Sequence, residues 1–346
     1  MTFTSPAQRK EFMARIPKVE LHLHIEGAIP HETMLALIHR KEPHSLLRSV
    51  EDLQRQFTYT DFPHFLDLWC WKDTFITTEE DFEEIAYQVL RDLRAQNVHY
   101  VEAHYSPGGY LNQGLSIQGI TEHLIAGRNR ALQDFGIRCE FIIDLIRHHG
   151  VDKGWHYVDE ATPYLNNGVI GIGLGGPEHD FPPAPYAELY HEAKRRGFHL
   201  VAHAGEAAGA DSIWAAIEKL GIERIGHGLR AYEDSELVTL LKERQIPLEM
   251  CVVSNVKTGV CKAVEKHPIR DYLEKGLLVT INSDDPAMFN TSMTEEYDTL
   301  SEQLLFTRDE LKQISLNGID ASFLSEEAKN SLRTQFEHEW LQLSSC

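Results

Sequence analysis

Eight short apolar runs, with a stretch of helical periodicity in nearly every gap between them, limit this chain's folds more than any other feature. The runs span 18–27, 98–106, 139–145, 169–174, 198–203, 224–227, 246–252 and 276–283. They alternate at period two or run as continuous blocks of branched residues, as strands do. Between the first two, 82–96 places Ile85, Val89 and Leu93 on one side of a helix. Helical spacing recurs over 117–135, 154–166, 186–196, 211–219, 234–244 and 267–275. Eight such units predict an α/β fold, a closed (β/α)8 TIM barrel. An open doubly wound sheet shares the alternation, but eight units and the placement of polar residues favour the barrel. No linker, low-complexity run or fixed-period repeat divides the 346 residues, so a single domain over 1–346 is expected. Segment 43–81 follows the first strand and carries Phe57, Tyr59, Phe62, Phe65, Trp69, Trp71 and Phe75. It predicts a helical insert that lids a pocket. Beyond 309 the chain adds C-terminal helices, including 326–343.

Barrels carry their chemistry at the carboxyl ends of their strands, and unusual polar residues collect there. The first strand ends in His22-Leu-His24, whose imidazoles leave one face because strand side chains alternate. The fifth ends at His203-Ala-Gly-Glu206, the sixth at His227-Gly228, and the eighth at Ser283-Asp284-Asp285-Pro286. Ionisable groups gathered in a partly buried place must be paired or coordinated, so these four ends predict a metal site. The formal charge of −20 disfavours nucleic acid and anionic membrane surfaces, leaving small molecules as partners. No apolar run approaches the roughly 20 residues of a membrane helix, and 1–17 has no signal-peptide h-region. Cys70, Cys139, Cys251, Cys261 and Cys346 form no Cys-x-x-Cys pair, which fits reduced thiols and a cytoplasmic location.

Taken together, Lys18-Val-Glu-Leu-His-Leu-His-Ile-Glu-Gly-Ala28, Tyr105-Ser-Pro107, His203-Ala-Gly-Glu206, Ile225-Gly-His-Gly228 and Asn282-Ser-Asp-Asp-Pro286 closely resemble the adenosine deaminase family in order and spacing. The resemblance covers nearly the whole chain. It implies that His22, His24, His203 and Asp284 bind one Zn²⁺ with room for a water, which the ion would activate. It implies that Glu206, held protonated, protonates purine N1, and that His227 orients the attacking hydroxide and takes up its proton. Asp285 would bond N7, the Gly176 backbone N–H would reach N3, and Glu26 would contact the sugar end. The implied reaction is adenosine plus water to inosine plus ammonia. Gly171-Ile-Gly-Leu-Gly-Gly176 also matches a dinucleotide pattern, but the proline-rich run 177–185 cannot open the required helix. His24-Ile-Glu26 resembles the zinc deaminases of cytosine, yet no Pro-Cys-x-x-Cys follows.

Two departures bear on the substrate. Many adenosine deaminases have Asp at the position of Glu26, and Ala-Gly-Asp-Glu where this chain has Gly175-Gly-Pro-Glu178. Adenosine ranks first, a 5′-modified adenine nucleoside such as 6-aminodeoxyfutalosine second, and free adenine third. A lactam- or ester-opening hydrolase on the same barrel is a separate class. Many of these use a carboxylated Lys on a middle strand, and 169–174 contains no Lys. A non-catalytic metal binder would need neither Glu206 nor His227.

Overall fold

The structure, a computed structural model, describes residues 3, 5–60 and 62–344. Cys346 and the side chain of Phe62 lie outside the described residues. Eight parallel strands follow one another round a barrel in chain order. In that order they are β1 (Lys18–His24), β2 (Val98–Tyr105), β3 (Arg138–Ile146), β4 (Val169–Gly175), β5 (His199–Ala204), β6 (Arg224–His227), β7 (Leu248–Met250) and β8 (Val279–Ile281). Helix α1 (Pro6–Arg15) precedes β1. Between β1 and β2 come α2 (His31–Lys41), α3 (Val50–Gln56), α4 (Phe62–Asp73) and α5 (Glu79–Ala95). Then α6 (Ile117–Phe135), α7 (Val151–Ala161), α8 (Ala187–Arg196), α9 (Ala210–Ala215) and α10 (Ser235–Arg244) each follow a strand. Helices α11 (Val252–Lys257) and α12 (Ile269–Lys275) join β7 to β8. After β8 come α13 (Pro286–Phe289), α14 (Met293–Glu302), α15 (Arg308–Ala321) and α16 (Glu326–Ser344).

Local chemistry explains the main elements. Helix α5 starts at a Thr78–Asp81 capping box and buries Phe82, Ile85, Val89 and Leu93 at three- and four-residue spacing. Helix α1 begins on the Ser5 side chain and packs Phe12 edge-on to Trp340 of α16, 6.2 Å apart. In β1 every residue is buried. The buried Lys18 ammonium at its start donates to the carbonyls of Met13, Ile16 and Gln96 at 2.6–2.8 Å.

The last two strands are shorter than their apolar runs: β7 gives way to α11 at Val252, and β8 to a seam of side-chain bonds. At the seam between β8 and β1, side chains take over from the backbone ladder. Leu21 N–H donates to Asn282 Oδ1 at 3.0 Å, and Ser283 Oγ donates to the Glu20 carboxylate at 2.7 Å. The barrel closes beyond them on one residue: Asp284 N–H donates to His22 O at 3.0 Å, and His24 N–H donates to Asp284 O at 2.9 Å. The apolar periodicity does not mark helices α1, α2, α11, α13 and α14. Among the described residues, no helix is long and apolar enough to cross a membrane.

Candidate active site

His22 and His24 leave β1 on one face, as period two requires, and meet His203 from the end of β5 and Asp284 from beyond β8. Their ligand atoms lie within 4.8 Å of one another. His203 Nε2 stands 3.1 Å from His22 Nε2 and 3.2 Å from His24 Nε2. Asp284 Oδ1 is 3.5 Å from His22 Nε2 and 3.3 Å from His24 Nε2.

The outer nitrogens show what the inner ones offer. His22 Nδ1 lies 2.7 Å from Glu249, and His24 Nδ1 3.2 Å from Asp144. Both carboxylates are pulled below their ordinary range: burial opposes this, but Arg224 and His22 outweigh it at Glu249, as His104 and His24 do at Asp144. An ionised carboxylate only accepts, so His22 spends its proton on Glu249 and turns a bare Nε2 inward, while His24 Nδ1 faces Asp144 Oδ2 as a charge contact without a hydrogen bond. Ser254 Oγ donates to Asp284 Oδ2 at 2.6 Å, leaving Oδ1 for the cluster. A tetrahedral zinc with bonds of about 2.0–2.2 Å sets its donors about 3.3–3.5 Å apart. The four residues therefore fit such an ion in donor type and in spacing.

Beside the cluster is a cavity of about 360 Å³, lined by His24, His203, Glu206, His227, Asp284 and Asp285 at its polar end. Phe65, Leu66 and Trp69 of α4, with Phe289, supply apolar walls, so the 43–81 insert does reach the site. Gly175 and Gly176 form another wall. Gly176 has φ of +92°, a conformation that suits glycine and exposes its backbone to the cavity. Two non-glycine residues of the site, His227 and Asp284, are also left-handed, with φ of +60° and +62°. Strain of this kind gathers where side chains must be aimed.

The acids differ in charge state. Burial, reinforced by the negative Asp284 and Glu178, pushes the Glu206 carboxyl up to about 8, so it is protonated at neutral pH. Burial and the adjacent Asp284 also hold Asp285 well above the carboxylate range, and its Oδ1 has no hydrogen-bond partner among the described residues. Glu26 is buried, with Oε1 accepting from Ser106 N–H at 2.8 Å. Its Oε2 is unpartnered among the described residues, and burial with Asp73 raises it to about 7. His227 Nε2 lies 3.6 Å from Glu206.

Of the nine residues picked from the sequence, seven line this cavity; His22 sits beneath it in the cluster with His24 and His203, and Glu26 stands behind Ser106. Ser106 lines the wall, His104 is buried against Asp144, and His179 is exposed. Sequence reading missed Glu249, Asp144 and Glu178. The first two carried a signal: Glu249 is the one acid of its strand, and Asp144 follows a fully apolar stretch, Phe141–Ile143, near the end of its own. Glu178 gave none, because its role is long-range. Its carboxylate accepts the backbone N–H groups of Gly205, Glu206, Ala207 and Ala208 at 2.6–3.1 Å and so fixes the loop carrying Glu206.

Gly27 is required by contact rather than by φ, since a Cβ there would overlap the Asp285 carboxyl. Gly27→Ala is expected to cost about 1–3 kcal/mol through overpacking and to displace Asp285. A lower Tm together with a raised KM checks this.

The family model described as adenosine deaminase matches residues 17–339. The chain is 37% identical to an adenine deaminase of Wolinella succinogenes, over 92% of this chain and 96% of that protein. It is 32% identical to an adenosine deaminase of Clostridium kluyveri, over 93% of each. Among solved structures it resembles the adenine deaminase from Arthrobacter aurescens, with 31% identity and a TM-score of 0.89 over 94% of this chain and 99% of that one. An amidohydrolase from Burkhoderia ambifaria with bound Zn matches with 28% identity and a TM-score of 0.90, over 99% of this chain and 95% of that one.

Proposed function

We propose, from the premise that the chain belongs to the adenosine deaminase family, that it removes the 6-amino group of free adenine by hydrolysis. That it is a hydrolytic aminohydrolase follows from the family. The substrate and the residue roles are our reading. The carrying observation is the buried Glu206 carboxyl, protonated at neutral pH, in a cavity that also holds three converging imidazoles and a carboxylate.

His22, His24, His203 and Asp284 would hold one zinc ion, the metal bound in the Burkhoderia ambifaria relative. When bound, it supplies an activated water. Glu206 gives its proton to ring N1, which makes C6 electron-poor and open to attack. Asp285, protonated, donates to N7, an acceptor in the purine. The Gly176 N–H is placed for N3, and His227 stands beside the attacking oxygen. Trp69 and Phe65 of α4 cover the base and keep bulk water out, the lid role of 43–81 within one domain.

Adenine is favoured over adenosine, reversing the order read from the sequence, by two observations. Several of the similar relatives, at 35–37% identity, are adenine deaminases. Behind the Ser106–Asp73 end of the cavity, Glu26 also keeps a buried oxygen with no partner among the described residues. Free adenine carries an imidazole N–H that the Asp73 carboxylate lining that end can accept, whereas a nucleoside carries a glycosidic bond there. Unpaired polar groups discriminate strongly between such ligands. We expect kcat/KM for adenine to exceed that for adenosine and for 5′-modified adenine nucleosides by about 10²-fold or more. Equal or greater turnover of a nucleoside, followed by ultraviolet absorbance, would reject adenine as the substrate.

A further inference from the structure

A buried chain of hydrogen bonds runs from helix α12 to His227, and its direction is fixed at its far end. Ile269 N–H, which can only donate, points at His267 Nδ1 at 3.3 Å. That nitrogen must be bare, so His267 carries its proton on Nε2. His267 Nε2 lies 3.1 Å from Asn255 Oδ1, and the amide oxygen accepts. The other end of the amide, Asn255 Nδ2, lies 3.1 Å from His227 Nδ1 and donates to it. Flipping the amide would leave His267 accepting at both nitrogens, which a neutral imidazole cannot do. Asn255 is itself anchored, its N–H donating to Cys251 O at 3.0 Å and its carbonyl accepting from Cys261 N–H at 2.7 Å. All three side chains are buried. Burial alone lowers His267 to about 3, so it stays neutral through the physiological range.

We propose that Asn255 and His267 are positioning residues that hold His227 in the tautomer protonated on Nε2, so that His227 meets the reacting centre as a hydrogen-bond donor. Nε2 is the nitrogen facing Glu206 and the cavity. A nitrogen already protonated cannot take a proton from the attacking oxygen. The uptake implied by family resemblance is replaced by donation, which orients that oxygen and stabilises negative charge on it. The proton the oxygen sheds goes to the Glu206 carboxylate left after N1 is protonated, and from there to the departing ammonia. The catalytic consequence rests on the deaminase reading; the tautomer does not.

The test is ¹⁵N NMR of the histidine rings in the protein as purified, for the wild type and for Asn255→Asp, with steady-state kinetics on adenine. The wild type is expected to show His227 and His267 both protonated on Nε2. Protonated Nδ1 on His227 overturns the proposal. In the near-isosteric Asn255→Asp variant the carboxylate accepts from both rings. His227 should then switch to Nδ1–H while His267 keeps Nε2–H, with kcat falling about 10²-fold or more and KM little changed. A variant His227 still protonated on Nε2 also overturns it. Should the variant not fold, bare Nδ1 on both rings of the wild type supports the relay, and a protonated Nδ1 on either refutes it. The expected tautomers without turnover of adenine would sink the deaminase reading and leave the relay intact.

Discussion

Replacing Glu206 by Gln is expected to lower kcat/KM by about 10²–10⁴-fold, the range associated with one general acid, while bound metal is unchanged. Gln fills the same volume and can still donate to N1, but it cannot pass over a proton. The pH profile gives an independent check. Glu206 is the proposed acid, and burial beside Asp284 and Glu178 raises it to about 8. Its protonated form is therefore present below that value and lost as pH rises through it. The wild type should show an alkaline limb near pH 8, and the residual activity of Glu206→Gln should lack it. Activity in the variant within about threefold of wild type would exclude Glu206 as the acid. Elemental analysis of the same samples separates a lost proton donor from a lost ion.

Chelation should abolish turnover, and adding zinc back should restore it. An ion bound to the folded state alone, present at 1,000 times its Kd, stabilises by about 4 kcal/mol, so Tm should also fall by several degrees. Asp284→Ala is expected to reproduce both losses without a chelator and to resist rescue. Full activity after exhaustive removal of divalent ions would end the metal-assisted mechanism. Behind the histidines, Glu249 sets which nitrogen of His22 is bare, and Asp144 lies beside His24 Nδ1. Their contribution belongs to affinity for the ion rather than to contact with the purine.

Much of this was legible in the sequence because its causes are local. Strand period two puts His22 and His24 on one face, and the eight apolar runs give the barrel. The four strand ends then bring the remaining ligands together. What stayed hidden depends on partners far away in the chain. Glu178 acts on a loop 27–30 residues on, through backbone N–H groups that every sequence has. The direction of the His267–Asn255–His227 chain depends on one main-chain donor at Ile269. The short β8 reflects Asn282 and Ser283 taking over hydrogen bonds that apolar patterning assigns to a longer strand, and β7 is cut short where α11 starts at Val252. The order of substrates turned on Glu26, whose type was visible and whose burial was not.

Asp284 has two duties whose consequence reaches beyond catalysis. Its main chain bolts the first stave of the cask to the last, while its carboxyl faces the three imidazoles. On the proposed metal reading, loading the ion would brace the same residue that cinches the hoop. A chain lacking its cation is then expected to loosen first where its beginning and its end hold together.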